Sequence, residues 1–115
     1  MEKNNSDESL DYRWYLVRKR VKEQFGQRPD INAMLFLIGM NEVGIVKDEW
    51  TKEDKQDLMH VAVCKLLSHD GYYKFIGNNN EGWPQYEQNI GMPVFDIRSQ
   101  EELLKEKIIE YFEAL

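Results

Sequence analysis

Apolar residues recur at helical spacing along most of the chain, but one stretch departs from any amphipathic pattern. In Ile31-Asn32-Ala33-Met34-Leu35-Phe36-Leu37-Ile38-Gly39-Met40 the apolar side chains fall on every side of a helix axis. Such a helix has no face to leave in water, so burial all round is expected, with the other elements covering it. It is too short to cross a bilayer, which takes about 20 apolar residues. Gly39 lowers helix propensity by roughly 1 kcal/mol relative to Ala. A neighbouring backbone passing close at that point would account for it. Asp30 can cap this helix, or Pro29 can sit in its first turn, and it should end near Val43-Gly44.

The flanking segments have ordinary stripes. Leu10, Trp14, Val17, Val21 and Phe25 step by three and four. They predict a first helix capped by Ser6 or Ser9 and closed by Gly26, with Tyr12, Tyr15 and Leu16 packing at the stripe's edges. Residues 44–50 read as a linker. Thr51-Lys52-Glu53-Asp54 combines a cap with first-turn acids and starts a third helix, from about Lys52 to Ser68. Trp50 stands where a hydrophobic staple places an apolar residue, and Asp70-Gly71 ends the helix. Tyr72-Tyr73-Lys74-Phe75-Ile76, a Gly/Asn turn, and Trp83-Pro84-Gln85-Tyr86-Glu87 then predict a β-hairpin at about 72–87. Alternation puts Tyr73 and Phe75 on one face of it, and Tyr72 and Lys74 on the other. Pro84 must lie at an edge or at a strand start. A loop follows over 88–98. Ser99-Gln100-Glu101-Glu102 reads as a capping box for a last helix reaching about Tyr111 or beyond, with Leu104, Ile108, Tyr111, Phe112 and Leu115 on its stripe.

The expected fold is therefore mainly α: a compact four-helix domain with a β-hairpin inserted between helices 3 and 4. Residues 1–7 are expected to be a disordered tail, and 8–115 a single domain. Three helices followed by a hairpin resembles winged-helix order, a likeness of fold that carries no function by itself. The polar opening octapeptide lacks the apolar core of a signal peptide, and the single cysteine, Cys64, has no internal disulfide partner. Both lead to the expectation of a cytoplasmic protein, with no membrane partner.

Charge divides the chain. Residues 13–28 hold six basic side chains against Glu23, so with a net charge of −6 the remainder carries −11. Such a split can mark a partner-binding face, and Arg18, Arg20 and Lys22 are its candidate residues. The plainer reading is a basic, solvated helix face. Nucleic acid is disfavoured, because the basic residues spread around the helix and the acidic remainder repels a polyanion.

Two further sets bear on chemistry. Glu53, Asp57, His60, Cys64 and Ser68 follow at spacings of four, three, four and four, which puts them on one side of the third helix. Asp57 could orient His60, and His60 could polarise Cys64, or the three could ligate a metal. A second ligand histidine, a Cys-x-x-Cys pair and an oxyanion loop are all missing from the sequence. A histidine at a core edge beside a small buried thiol is the plainer account. No cofactor is implied. The second set, Tyr72, Tyr73, Phe75, Trp83 and Tyr86, gathers five aromatic rings within fifteen positions. Outward-facing rings there could hold a peptide or a planar ligand, while inward-facing ones would only close the core.

No phosphate loop, dinucleotide fingerprint, His-Glu-x-x-His or Gly-x-Ser-x-Gly occurs. The expectation is a small cytoplasmic, non-enzymatic interaction or accessory protein. It would use the hairpin, the basic helix or both against a protein partner or its own copy. The alternatives are a winged-helix-like nucleic-acid binder and a thiol or metal site on helix 3.

Overall fold

A computed structural model of the chain describes residues 9–45, 47–89 and 97–115. They form α1 (Leu10–Phe25), α2 (Ile31–Val43), α3 (Lys52–Ser68), β1 (Tyr73–Asn78), β2 (Pro84–Gln88) and α4 (Ile97–Glu113). This is the expected mainly α architecture, with the antiparallel pair β1–β2 between the third and fourth helices. The tail expected at 1–7, and residues 90–96 of the loop expected at 88–98, lie outside the described residues. The chain divides into two compact units. One holds α1 and α4, and the other holds α2, α3 and the hairpin.

In the first unit, α1 begins as its sequence directs. The Ser9 hydroxyl accepts the Tyr12 N–H at 3.2 Å, satisfying one of the helix's orphan donors. Gly26 ends the helix, its N–H donating to the Lys22 carbonyl at 2.7 Å. Trp14, Val17 and Val21 are buried on the α1 stripe, and Ile108, Ile109 and Phe112 are buried on α4. Each such side chain contributes roughly 1.5–3 kcal/mol by leaving water. Tyr12, Tyr15 and Leu16 do not pack at the stripe's edges: they are 43%, 46% and 43% exposed. Lying one or two positions off the stripe, they are turned roughly 100–200° away from it.

Two expectations for α4 are corrected. The helix starts at Ile97, so Ser99 is its third residue rather than its cap. Ile97 stands one heptad before Leu104, and the apolar period thus begins ahead of the Ser-x-x-Glu motif. Leu115 falls two residues past the helix end and is 72% exposed, so it is not part of the stripe.

The second unit is built on α2. No apolar residue of 31–40 is exposed, and Met34 and Ile38 are completely buried. Gly39 has the reason its sequence position suggested. A Cβ there would lie 2.1 Å from the Leu58 carbonyl oxygen of α3, so the two helix backbones meet at this point. Pro29 lies two residues ahead of α2 rather than in its first turn.

Around the α2–α3 contact, Val43, Leu58 and Val61 form a cluster joined by Phe36, Met40, Trp50 and Trp83. Trp50 meets Phe36 of α2 edge-on, with ring centroids 6.3 Å apart. In α3 itself the staple position is Lys55, which offers no apolar head, so the indole packs on the neighbouring helix instead.

The hairpin pairs Phe75 with Tyr86 and Gly77 with Gln85, leaving Ile76 as a bulge. Gly77 takes φ +112°, which a residue with a side chain adopts only with strain. Pro84 opens β2, where its missing N–H does least harm. Tyr72 lies one residue before β1, so strand alternation does not reach it.

Candidate functional site

A cleft of about 580 Å³ opens between α3 and the hairpin, a volume within the usual range for ligand sites. It unites two of the sets read from the sequence. Glu53, Asp57, His60 and Cys64 of α3 form one wall, and Trp83 and Tyr86 of the hairpin belong to the other.

The α3 wall is held by a capping box. The Asp54 N–H donates to the Thr51 hydroxyl at 2.9 Å, and the Thr51 N–H donates back to the Asp54 carboxylate at 3.3 Å. Lys47, from the stretch before the helix, places its ammonium 3.2 Å from the same carboxylate. The Lys47 hydrogen bond, and next the Thr51 backbone, hold the Asp54 carboxyl below the usual carboxylate range. Asp54 is therefore a fixed anion at the cleft's edge.

One to three turns further along, the side chains divide. Asp57 and His60 are exposed, while Cys64 is buried. The Cys64 sulfur lies 3.5 Å from His60 Nε2, within reach of a weak hydrogen bond. Burial nevertheless pushes the thiol up to about 11, the opposite of what a nucleophile needs. Among the described residues no hydrogen bond or ion pair joins Asp57 to His60, so the orienting member of the suggested triad is not engaged. Nor do three His, Cys, Asp or Glu side chains among the described residues gather closely enough to hold a metal. Ser68 turns back on its own helix, its hydroxyl donating to the Lys65 carbonyl at 2.6 Å.

The hairpin wall is shaped by one asparagine. Asn79 Oδ1 accepts the N–H of Glu81 at 2.9 Å and of Trp83 at 3.0 Å, which folds the turn and brings both residues to the cleft. Trp83 is half-buried against the Val43–Leu58–Val61 cluster. Tyr86 is half-buried too, and its phenol is pushed up by burial first, then by Glu42 and Cys64. Phe75 does not line the cleft. Its ring meets Tyr86 edge-on at 5.7 Å, and it is 53% exposed, beside Ile76 at 55%. Tyr72 and Tyr73 are half-buried and stand away from the cleft lining.

The basic candidates belong to the other unit, and two of them are occupied there. Arg18 Nε donates to the Pro29 carbonyl at 2.7 Å. Arg20 donates to the Phe112 carbonyl in the last turn of α4, supplying a cation where the helix dipole favours one. Lys22 is exposed in the last turn of α1. Sequence reading missed Lys47 and Glu81, and it saw the three asparagines only as a turn. The signal in hand was Asn79 ahead of Gly82-Trp83, a side chain able to accept from its own downstream backbone.

No known protein family, curated protein or solved structure matches this chain.

Proposed function

We propose that this is a cytoplasmic, non-enzymatic interaction protein whose contact surface is the α3–hairpin cleft together with the exposed rim of the hairpin. The observation that carries the reading is the continuity of the two. Tyr86 lines the cleft and touches Phe75, and Phe75 and Ile76 turn apolar surface to water next to it. The buried, protonated state of Cys64 at neutral pH runs against a thiol enzyme. The nucleic-acid alternative loses Arg18 and Arg20, which hydrogen-bond within their own unit.

The test is affinity capture from the native cell, using the wild-type chain beside the Phe75→Asp and Lys22→Glu variants. A protein retained by the wild type and Lys22→Glu, and released by Phe75→Asp, supports the reading. A captured set unaffected by Phe75→Asp, or lost only with Lys22→Glu, overturns it.

A further inference from the structure

Resting on that reading of the surface, we propose that the cleft receives a cationic side chain, Arg or Lys, carried on a segment of a partner protein whose apolar neighbour seats on Phe75.

The charge lining the cleft is predominantly acidic. Among the described residues, four carboxylates, Glu53, Asp54, Asp57 and Glu81, line the cleft against the single ammonium of Lys47. Lys47 is already paired with Asp54 at 3.2 Å. Among the described residues Glu53, Asp57 and Glu81 have no ion-pair partner. Stabilisation of a helix start explains Glu53 and Asp54. It does not explain Asp57, a full turn further in, nor Glu81, which comes from the hairpin turn. Two elements separated in sequence thus aim negative charge at one space, and an anionic ligand is repelled from it.

The walls suit a cationic side chain in shape and chemistry as well. Trp83 and Tyr86 are half-buried, so each ring is fixed by packing yet keeps open surface toward the cleft. Aromatic faces take the alkyl stem of Lys or the guanidinium plane of Arg, with the charge attracted to the ring.

The apolar rim beside the cleft favours a peptide over a free cation. A small amine would fill the cleft and leave Phe75 and Ile76 bare. A chain that carries its cation into the cleft past Tyr86 also crosses this rim, because Phe75 adjoins Tyr86. A residue next to the cation then finds apolar surface waiting for it.

The experiment uses the full chain and a fluorescein-labelled Leu-Arg-Leu-Arg-Leu peptide, read by anisotropy. A companion peptide replaces each arginine by citrulline, which keeps the size and three of the five N–H donors, exchanges one NH2 for an acceptor oxygen, and removes the charge. The proposal expects the arginine peptide to bind at least tenfold tighter than the citrulline peptide. It also expects the double variant Asp57→Asn/Glu81→Gln to erase most of that difference, and spermidine to compete only weakly. Both substitutions are at exposed side chains, and unchanged circular dichroism verifies the fold. Equal binding of the two peptides, unaltered binding by the double variant, or full displacement by spermidine at the peptide's own concentration range overturns the proposal. If the peptide fails while Phe75→Asp still releases a captured partner, the cation is wrong and the contact surface stands.

Discussion

The basic first helix of one unit and the acidic cleft of the other put their charge to opposite uses. In the α1–α4 unit the arginines serve the fold. Arg20 caps the α4 terminus, Arg18 holds the Pro29 carbonyl, and Arg13 lies 2.9 Å from Glu113. In the α2–α3–hairpin unit the acids around the cleft do little for the fold beyond the α3 cap. Asp57 and Glu81 stand exposed with no ion-pair partner among the described residues. Density of charge along a sequence therefore says little about where a partner binds. What matters is whether nearby backbone and side chains have already absorbed it.

The largest expected effect tests the packing on which the second unit depends. Gly39→Ala would drive a methyl into the Leu58 carbonyl, and neither helix backbone can yield cheaply. We expect a loss of about 3 kcal/mol in chemical denaturation, the upper range for overpacking.

Next in size is the pH dependence conferred by Cys64. Its thiol is raised from 9.0 to about 11 by burial, so its folded-state pKa exceeds the unfolded one. The associated stability is complete below pH 9 and is lost as pH rises toward 11. Wild-type stability should therefore fall more steeply over that window than that of Cys64→Ala, by on the order of 2–3 kcal/mol. Parallel curves from the two proteins would contradict the burial argument.

Smaller changes separate the two kinds of charge. Arg20→Met removes a charged donor from the Phe112 carbonyl and should lower stability by about 1–2 kcal/mol, with arginine-peptide binding unchanged. Asp57→Asn and Glu81→Gln should each leave stability within about 0.5 kcal/mol, while weakening that binding. The reverse pattern would mean that the basic first helix is the binding element.

How far these features could be read beforehand follows from their range along the chain. The decapeptide 31–40, apolar on every side of its axis, announced an α2 with no exposed apolar side chain, and Gly39 within it announced a close backbone. Ser9 and Thr51 announced their helices because a cap acts on residues two or three positions away. Ser99 misled, since a local Ser-x-x-Glu motif is silent about apolar residues ahead of it. The α3 row of Asp57, His60 and Cys64 was legible from spacing alone. Glu81 and Lys47 were not, because the loop and hairpin that bring them to α3 obey no periodicity with it. The role of Arg20 was hidden for the same reason: its acceptor lies 92 residues away in sequence.

Amide and indole nuclear magnetic resonance most directly separates an open acidic cleft from a first helix whose Arg13, Arg18 and Arg20 are already engaged. The arginine peptide is titrated into the labelled full chain. Signals of Asp57, Glu81, Trp83 and Tyr86 are expected to shift together along one binding curve, with those of Arg13, Arg18 and Arg20 unmoved. Shifts confined to α1 and α4 would contradict that expectation.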